Sequence, residues 1–241
     1  MLARLWLPLL GVAPFAFAQN PALPAHEVLT YNIEWRLITA GKARLEWQQA
    51  RGSSQINLKV ESAGLVSKLF RIYDVYQANL NQDGCAESTL LNSQEGSRQR
   101  ETRVTFDGHV ANYLERDRAR NAVLATKDTE IPACVHDVAG GLYLLRTMNI
   151  EPGHSVNIAV SDGKTSAMAR VEAQAREDVK TPAGTFHTIR YEAYLFNNVL
   201  YRRSAHLYVW LTDDARKLPV QIRVRMQFTI GTIALELEKR E

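Results

Sequence analysis

Apolar and polar residues alternate along much of this chain with a period of two. In LTYNIEWRLI, Leu29, Tyr31, Ile33, Trp35 and Leu37 share one face, while Thr30, Asn32, Glu34 and Arg36 share the other. ARLEWQQ at 43–49 repeats the scheme, with Ala43, Leu45 and Trp47 on the apolar side. So do QINLKVE (55–61), SVNIAV (155–160), AHLYVWL (205–211), PVQIRVRMQF (219–228) and TIALELE (232–238). Side chains of an extended chain point alternately to opposite faces, so each segment reads as a half-buried strand. Weaker alternation marks further strands near 70–80, 97–106, 109–115, 165–178 and 186–195.

The punctuation between these segments suits hairpins. Asp-Gly stands at 83–84, 107–108 and 162–163. That pair fits a type I′ turn, whose two central residues both need positive φ. Ala-Gly at 40–41 and Pro-Ala-Gly at 182–184 mark two more turns. Only CVHDVAGGLYLLRTM, 134–148, has helical spacing, with Val135, Val138, Leu142 and Leu145 on one stripe. Gly140 and Gly141 weaken it by about 1 kcal/mol each relative to alanine. The expected fold is therefore mainly all-β, an antiparallel meander forming an open or closed β-barrel or β-roll. One short helix near 135–148 covers it. No repeat or linker divides residues 19–241, which read as one domain.

The first eighteen residues, MLARLWLPLLGVAPFAFA, have a different character. Arg4 precedes an apolar run from Leu5 to Phe17, and Ala16-Phe17-Ala18 offers a small-x-small cleavage site. This is the layout of a secretory signal peptide, with the mature chain starting at Gln19. The run is shorter than the ~20 residues that span a bilayer, and Pro8 and Pro14 interrupt it. Gln19 rather than cysteine follows the cleavage site, so no lipid attachment is expected there. The protein is expected in the periplasm or outside the cell and not embedded in a membrane. An outer-membrane barrel fits poorly, because Gln221, Arg223, Arg225 and Gln227 would crowd one face of one strand.

Charge and cysteine content narrow the partners. Lys and Arg total 29 against 26 acids, a formal charge of +3, and the basic run RDRAR at 116–120 contains its own aspartate. No nucleic-acid partner is expected. Cys85 and Cys134 are the two cysteines, and an exported chain favours a disulfide between them. No CxxC or HxxxH accompanies them to complete a zinc site.

Candidate chemistry is sparse. Asp213 and Asp214 sit between two strands in VWLTDDARKLPVQIRV and read as a turn, since neighbours in extended chain point apart and calcium wants six to eight oxygens. GKT at 163–165 lacks the upstream glycine of a phosphate loop, and no GxSxG occurs. Histidines 26, 109, 136, 154, 187 and 206 never reach metal-ligand spacing. His136-Asp137 lies at the helix start, where Asp serves as a cap. No catalytic residue, metal or cofactor is expected. Tyr31, Trp35 and Trp47 are the candidate ligand-binding residues, aromatic walls for an apolar molecule inside a barrel.

Several of these segments also carry a family resemblance. AGKARLEW after TYNIEW, TPAGTF at 181–186, and VWLTDDARKLPVQIRV followed by IGTIALEL resemble the bacterial exported family catalogued as domain of unknown function 3108. The likeness spans most of 26–238. It implies an envelope location and an antiparallel β structure, and it brings no catalytic residues. The expected function is binding or carriage of a lipid or other amphipathic envelope molecule. The alternative is a scaffold that binds another envelope protein, and a hydrolase-like enzyme stands third.

Overall fold

The computed structural model describes residues 23–227 and 231–241. The expected leader, its cleavage site and Gln19 lie outside them, as does Phe228 at the end of one expected strand. Among the described residues the strands β1 (His26–Trp35), β2 (Ile38–Ala50), β3 (Ser53–Ser62), β4 (Ile72–Asn81) and β5 (Ala86–Glu95) come first. β6 (Arg98–Asp107), β7 (Val110–Asp117), β8 (Ala122–Glu130), β9 (Ser155–Ser161) and β10 (Ser166–Thr181) follow. β11 (Gly184–Ala193), β12 (Ala205–Thr212), β13 (Pro219–Met226) and β14 (Thr232–Arg240) complete one antiparallel sheet. Its order is β8-β7-β6-β5-β4-β3-β2-β1-β14-β13-β12-β11-β10-β9, so the first and last described strands meet at its centre.

Register carries the sequence alternation from strand to strand. Leu29 faces Leu45, which faces Leu58, then Tyr76, Leu91 and Thr102. In the other direction Ile33, Leu235, Ile222, Val209, Tyr191 and Ala173 form a second row. The sheet twists and curls so that these rows line its inside. It does not close: β8 and β9 are its edges and do not pair with each other.

Instead the two edges overlap. The β9–β10 turn seats against β6–β8, where the Thr129 hydroxyl donates to Gly163 O at 2.8 Å and Lys164 Nζ lies 3.2 Å from Glu115. Ala159 packs on the cluster of Val104, Ala111, Tyr113, Ile131 and Val135. One short backbone link spans the overlap. Val135 O accepts from Ala86 N at 2.8 Å, while His136 N donates to Ala159 O and its carbonyl accepts from Ser161 N, both at 2.9 Å. Beside this link Cys85 and Cys134 form the expected disulfide, with Cα atoms 5.1 Å apart. A stable disulfide belongs to an oxidising compartment and points to a location outside the cytoplasm.

Among the described residues two helices accompany the sheet rather than one. α1 (Gly64–Leu69) is too short to show periodicity and buries none of its residues. α2 (Val138–Arg146) falls within the expected window. Asp137 caps it, its carboxylate accepting from Ala139 N at 2.9 Å and Gly140 N at 3.1 Å. Gly140 is required by closeness: a Cβ there would lie 2.7 Å from the capping oxygen. α2 sits near the β2–β3 and β4–β5 turns, with Tyr143 stacked on Trp47 at 4.4 Å between ring centroids.

Two turn expectations need correction. Ala40-Gly41 is not a turn but lies inside β2, and the hairpin turns at Arg36-Leu37, both with positive φ (49° and 67°). Gly41 is glycine because a Cβ would stand 2.3 Å from Glu61 O on β3. In the three Asp-Gly pairs only the glycine takes positive φ, so none is a type I′ turn with its centre on that pair.

Asp213 and Asp214 do turn the chain, by a route the sequence did not specify. Asp214 accepts from the Thr212 hydroxyl at 2.7 Å and from Arg216 N at 3.0 Å, and its second oxygen meets the Arg216 guanidinium. Asp213 pairs with Arg176 at 2.7 Å. Positive φ falls at Lys217, not at either aspartate. Burial pushes the Asp214 carboxyl up, but Thr212 and Arg216 outweigh it and hold the pKa below the usual range. Asp213→Asn/Asp214→Gly is expected to cost about 1 kcal/mol at neutral pH, the scale of lost side-chain caps. A depressed carboxylate contributes stability above its unfolded pKa and loses it as pH falls. The difference between variant and wild type should therefore shrink toward acid pH in denaturant titrations. Stoichiometric calcium or magnesium lost with the substitution would contradict a purely structural turn.

Candidate functional site

The curled sheet encloses a cavity of about 510 Å³. Its walls come from inward positions of most strands: Leu45 and Leu58 on β2 and β3, Leu91 and Val104 on β5 and β6, Val209 and Ile222 on β12 and β13. α2 supplies Val138, Leu142 and Leu145, three members of the stripe foreseen in the sequence. These side chains need no partner, so the space they leave suits an apolar body.

Polar groups are few and concentrated. Tyr76 donates its hydroxyl to Asp137 Oδ2 at 2.7 Å, and Asp137 is already the α2 cap. Burial raises the Asp137 carboxyl, against the hydrogen bonds from Tyr76, Ala139 and Gly140. Two residues before Tyr76, on the same inward row of β4, Asp74 also lines the cavity. It accepts one hydrogen bond, from Gln94 N at 3.1 Å. Burial pushes its carboxyl up to about 6, and Glu95 adds to the effect. Tyr201 completes the group; burial first, then Asp162 and Asp137, push its hydroxyl up to about 12. Asp162 also faces the cavity, its Oδ1 accepting from Lys164 N and Thr165 N. The charged lining is thus Asp74, Asp137 and Asp162, with no Lys, Arg or His among the described residues that form it.

The three aromatic residues singled out in the sequence go to different places. Tyr31 lines the cavity with its ring, while its hydroxyl donates to Pro219 O at 2.8 Å. Trp47 is buried in the core against Tyr143 and donates its indole N–H to Pro24 O at 2.9 Å. Trp35, 37% exposed, ends β1 with the Arg36 guanidinium 5.6 Å from its ring. The sequence reading missed Asp74, Tyr76 and Tyr201. In IYDVYQANL the spacing Asp74, Tyr76, Ala78, Leu80 places an acid on the otherwise apolar face, and that was the available signal.

His136 and Asp137 take different hydrogen-bond partners and act on each other only through charge. His136 is buried, with Nδ1 2.9 Å from Gly84 O, and burial lowers its pKa. Among the described residues no three His, Cys, Asp or Glu side chains converge as metal ligands. No described helix is long and apolar enough to cross a membrane.

The fold has a counterpart in a solved structure, the β-barrel-like protein of domain of unknown function DUF1849 from Brucella abortus. The two share 7% identity at a TM-score of 0.59, covering 91% of this chain and 98% of that one. A DUF1089 family protein from Pseudomonas aeruginosa is more distant, with 12% identity and a TM-score of 0.37 over 77% of this chain and 90% of that one. Curated proteins give no match. The family resemblance seen in the strand ends and turns is confirmed over residues 30–238, and the chain belongs to the family described as Protein of unknown function (DUF3108).

Proposed function

We propose that this protein binds and carries, in its cavity, an amphipathic envelope molecule with an apolar body and a neutral or cationic polar end. The observation that supports this most is the cavity itself: about 510 Å³, walled by aliphatic side chains, with three aspartates as its charged lining. That volume lies in the usual range for small-molecule sites, and a few polar groups in an apolar pocket fix a ligand's orientation. An anionic head placed near Asp74 meets a like charge, whereas an ammonium or hydroxyl finds an acceptor. A unit charge about 4 Å away is worth about 4 kcal/mol at an effective dielectric of 20. Solvent at the half-buried Asp74 reduces this to roughly 1–2 kcal/mol, or about tenfold in affinity. The disulfide supports a periplasmic or secreted setting for this activity.

The test is displacement of a fluorescent probe by a long-chain amine, alcohol and carboxylate of equal chain length. The amine and alcohol are expected to compete, and the carboxylate to bind about tenfold more weakly than the amine. Asp74→Asn should remove the amine's advantage. That advantage should also fade in wild type as pH falls through about 6, where Asp74 takes up its proton. Leu58→Trp, which fills the cavity from β3, should weaken all three. If none of the three competes and native mass spectrometry finds no retained molecule, carriage is refuted.

A further inference from the structure

A second feature lies outside the cavity, at the opposite end of the sheet's hairpins from α2. There the β1–β2 turn, α1 and the β5–β6 turn form one continuous rim. Ala63 N donates to Ala40 O at 2.8 Å, which ties α1 to β2, and Gly96 N donates to Arg71 O at 2.7 Å. The Phe70 ring packs over Gly96, whose Cβ position would lie 2.9 Å from it. This rim exposes large apolar side chains: Leu37 at 92%, Leu69 at 78%, Leu65 at 62%, Phe70 at 49% and Ile38 at 46%. Scattered exposed leucines need no explanation, but a contiguous patch on a single rim does.

The charges around the patch decide what covers it. Lys68 and Arg71 flank Leu69 and Phe70, and Arg98 opens β6 just after the β5–β6 turn. None of the three forms a salt bridge among the described residues, whereas Lys59 close by pairs with Glu61 and Lys42 with Glu238. The segment 63–71 holds two cations and no acid; Glu95 is the acid facing Arg98 across the turn. Apolar side chains flanked by Lys68, Arg71 and Arg98, with Glu95 and the Lys59-paired Glu61 as the acids beside them, match the chemistry of a bilayer surface that carries anionic headgroups. The same end of β3 and β4 carries Val60 and Asp74 of the cavity lining.

We infer that the rim formed by the Arg36-Leu37 turn, α1 and the β5–β6 turn docks this protein on an anionic lipid surface. Leu37, Leu65, Leu69 and Phe70 enter the headgroup boundary, and Lys68, Arg71 and Arg98 meet the lipid phosphates. The contact is reversible: a six-residue helix and two turns cover far less surface than a spanning segment.

The test is co-sedimentation of the full mature chain with two kinds of vesicle, phosphatidylcholine with phosphatidylglycerol and phosphatidylcholine alone. Binding is expected to the first and to be at least about tenfold weaker to the second. Leu37→Asn/Leu65→Ser/Leu69→Ser should abolish it, and Asn suits the positive φ at position 37. Lys68→Gln/Arg71→Gln/Arg98→Gln should bind both vesicles equally weakly. An unchanged melting temperature shows that the variants fold, without reference to any ligand. No sedimentation with the anionic vesicles, or unchanged binding of the leucine variant, overturns the inference. So does a wild-type dimer that the leucine variant makes monomeric with no vesicle binding in either, which assigns the rim to a second copy. Failure of the amine and alcohol to enter the cavity would refute carriage and leave the docking result standing.

Discussion

Arg146→Met is expected to lower the unfolding free energy by about 3–5 kcal/mol, the cost of leaving a buried charge without its partner. Arg146 is fully buried in the last turn of α2, and its Nη1 donates to Glu27 Oε2 at 2.7 Å. Nε donates to Lys217 O at 3.0 Å and Nη2 to Arg216 O at 3.3 Å. One guanidinium therefore joins α2, the start of β1 and the Asp213–Asp214 turn, and it lies 4.9 Å from the Tyr143 ring centre. Glu27 is 1% exposed; Arg240 Nε lies 3.2 Å from its Oε1 without hydrogen-bond geometry. Methionine keeps the apolar stem and removes every donor, so Glu27 Oε2 and two carbonyls lose a partner, and Glu27 keeps only Arg240 at its other oxygen. Buried ion pairs are not in themselves strongly stabilising, because desolvation offsets the attraction. Glu27→Leu/Arg146→Met is accordingly expected to recover most of the loss. Urea titrations of the two variants decide the matter. A single variant within about 1 kcal/mol of wild type would show that water reaches Glu27 readily.

Cys85→Ser/Cys134→Ser is expected to cost about 2–4 kcal/mol. Bridging residues 49 apart in sequence restricts the unfolded chain by about 4 kcal/mol in the chain-entropy account. The lower part of the range applies because other contacts hold the same region. β8, which precedes Cys134, pairs along its length with β7. The Asp137 cap, the His136–Gly84 contact and the Tyr143–Trp47 stack hold α2 beyond it. What the bridge adds is control of the two-residue backbone link from β5 to β9. Thermal melts of oxidised wild type and variant, with mass spectrometry of a non-reduced digest, test this. An unchanged melting temperature would mean that the link holds without the disulfide.

Strands with one wet and one buried face were legible because burial follows their alternation. In β2, Ala43, Leu45 and Trp47 are buried and Lys42, Arg44 and Gln48 are exposed. β5 gave no such signal: Ala86 is buried and Glu87 and Glu95 are exposed, but residues 88–94 are half-buried on both faces, with serine, threonine and asparagine flanking Leu90 and Leu91. β8 is an edge, mostly exposed on both faces, and its sequence carries no alternation to mark it. The β1–β2 turn was misplaced because two residues without glycine's freedom occupy positive φ, while the nearby glycine answers a steric demand from β3. α1 satisfies no core and leaves no periodic trace. For the cavity, the apolar faces were legible but their curvature was not. Whether Tyr31 and Trp47 share a space depends on where α2 docks, which no local pattern encodes.

The overlap of β8 and β9 has a consequence for the bore of the molecule. In a closed barrel the diameter is fixed by strand number and stagger, and it changes only if a rung of the ladder breaks. Here the girth is set by a lap joint. At one end the joint is riveted by Val135 and His136 and their neighbouring disulfide. Elsewhere it includes side-chain contacts, Thr129 on Gly163 and Glu115 on Lys164, which belong to no ladder, so a shift there would leave every ladder intact. The bore is thus not confined to the discrete sizes a ring permits, so under the proposed carriage one scaffold would admit contents of different thickness, as a hose clip does.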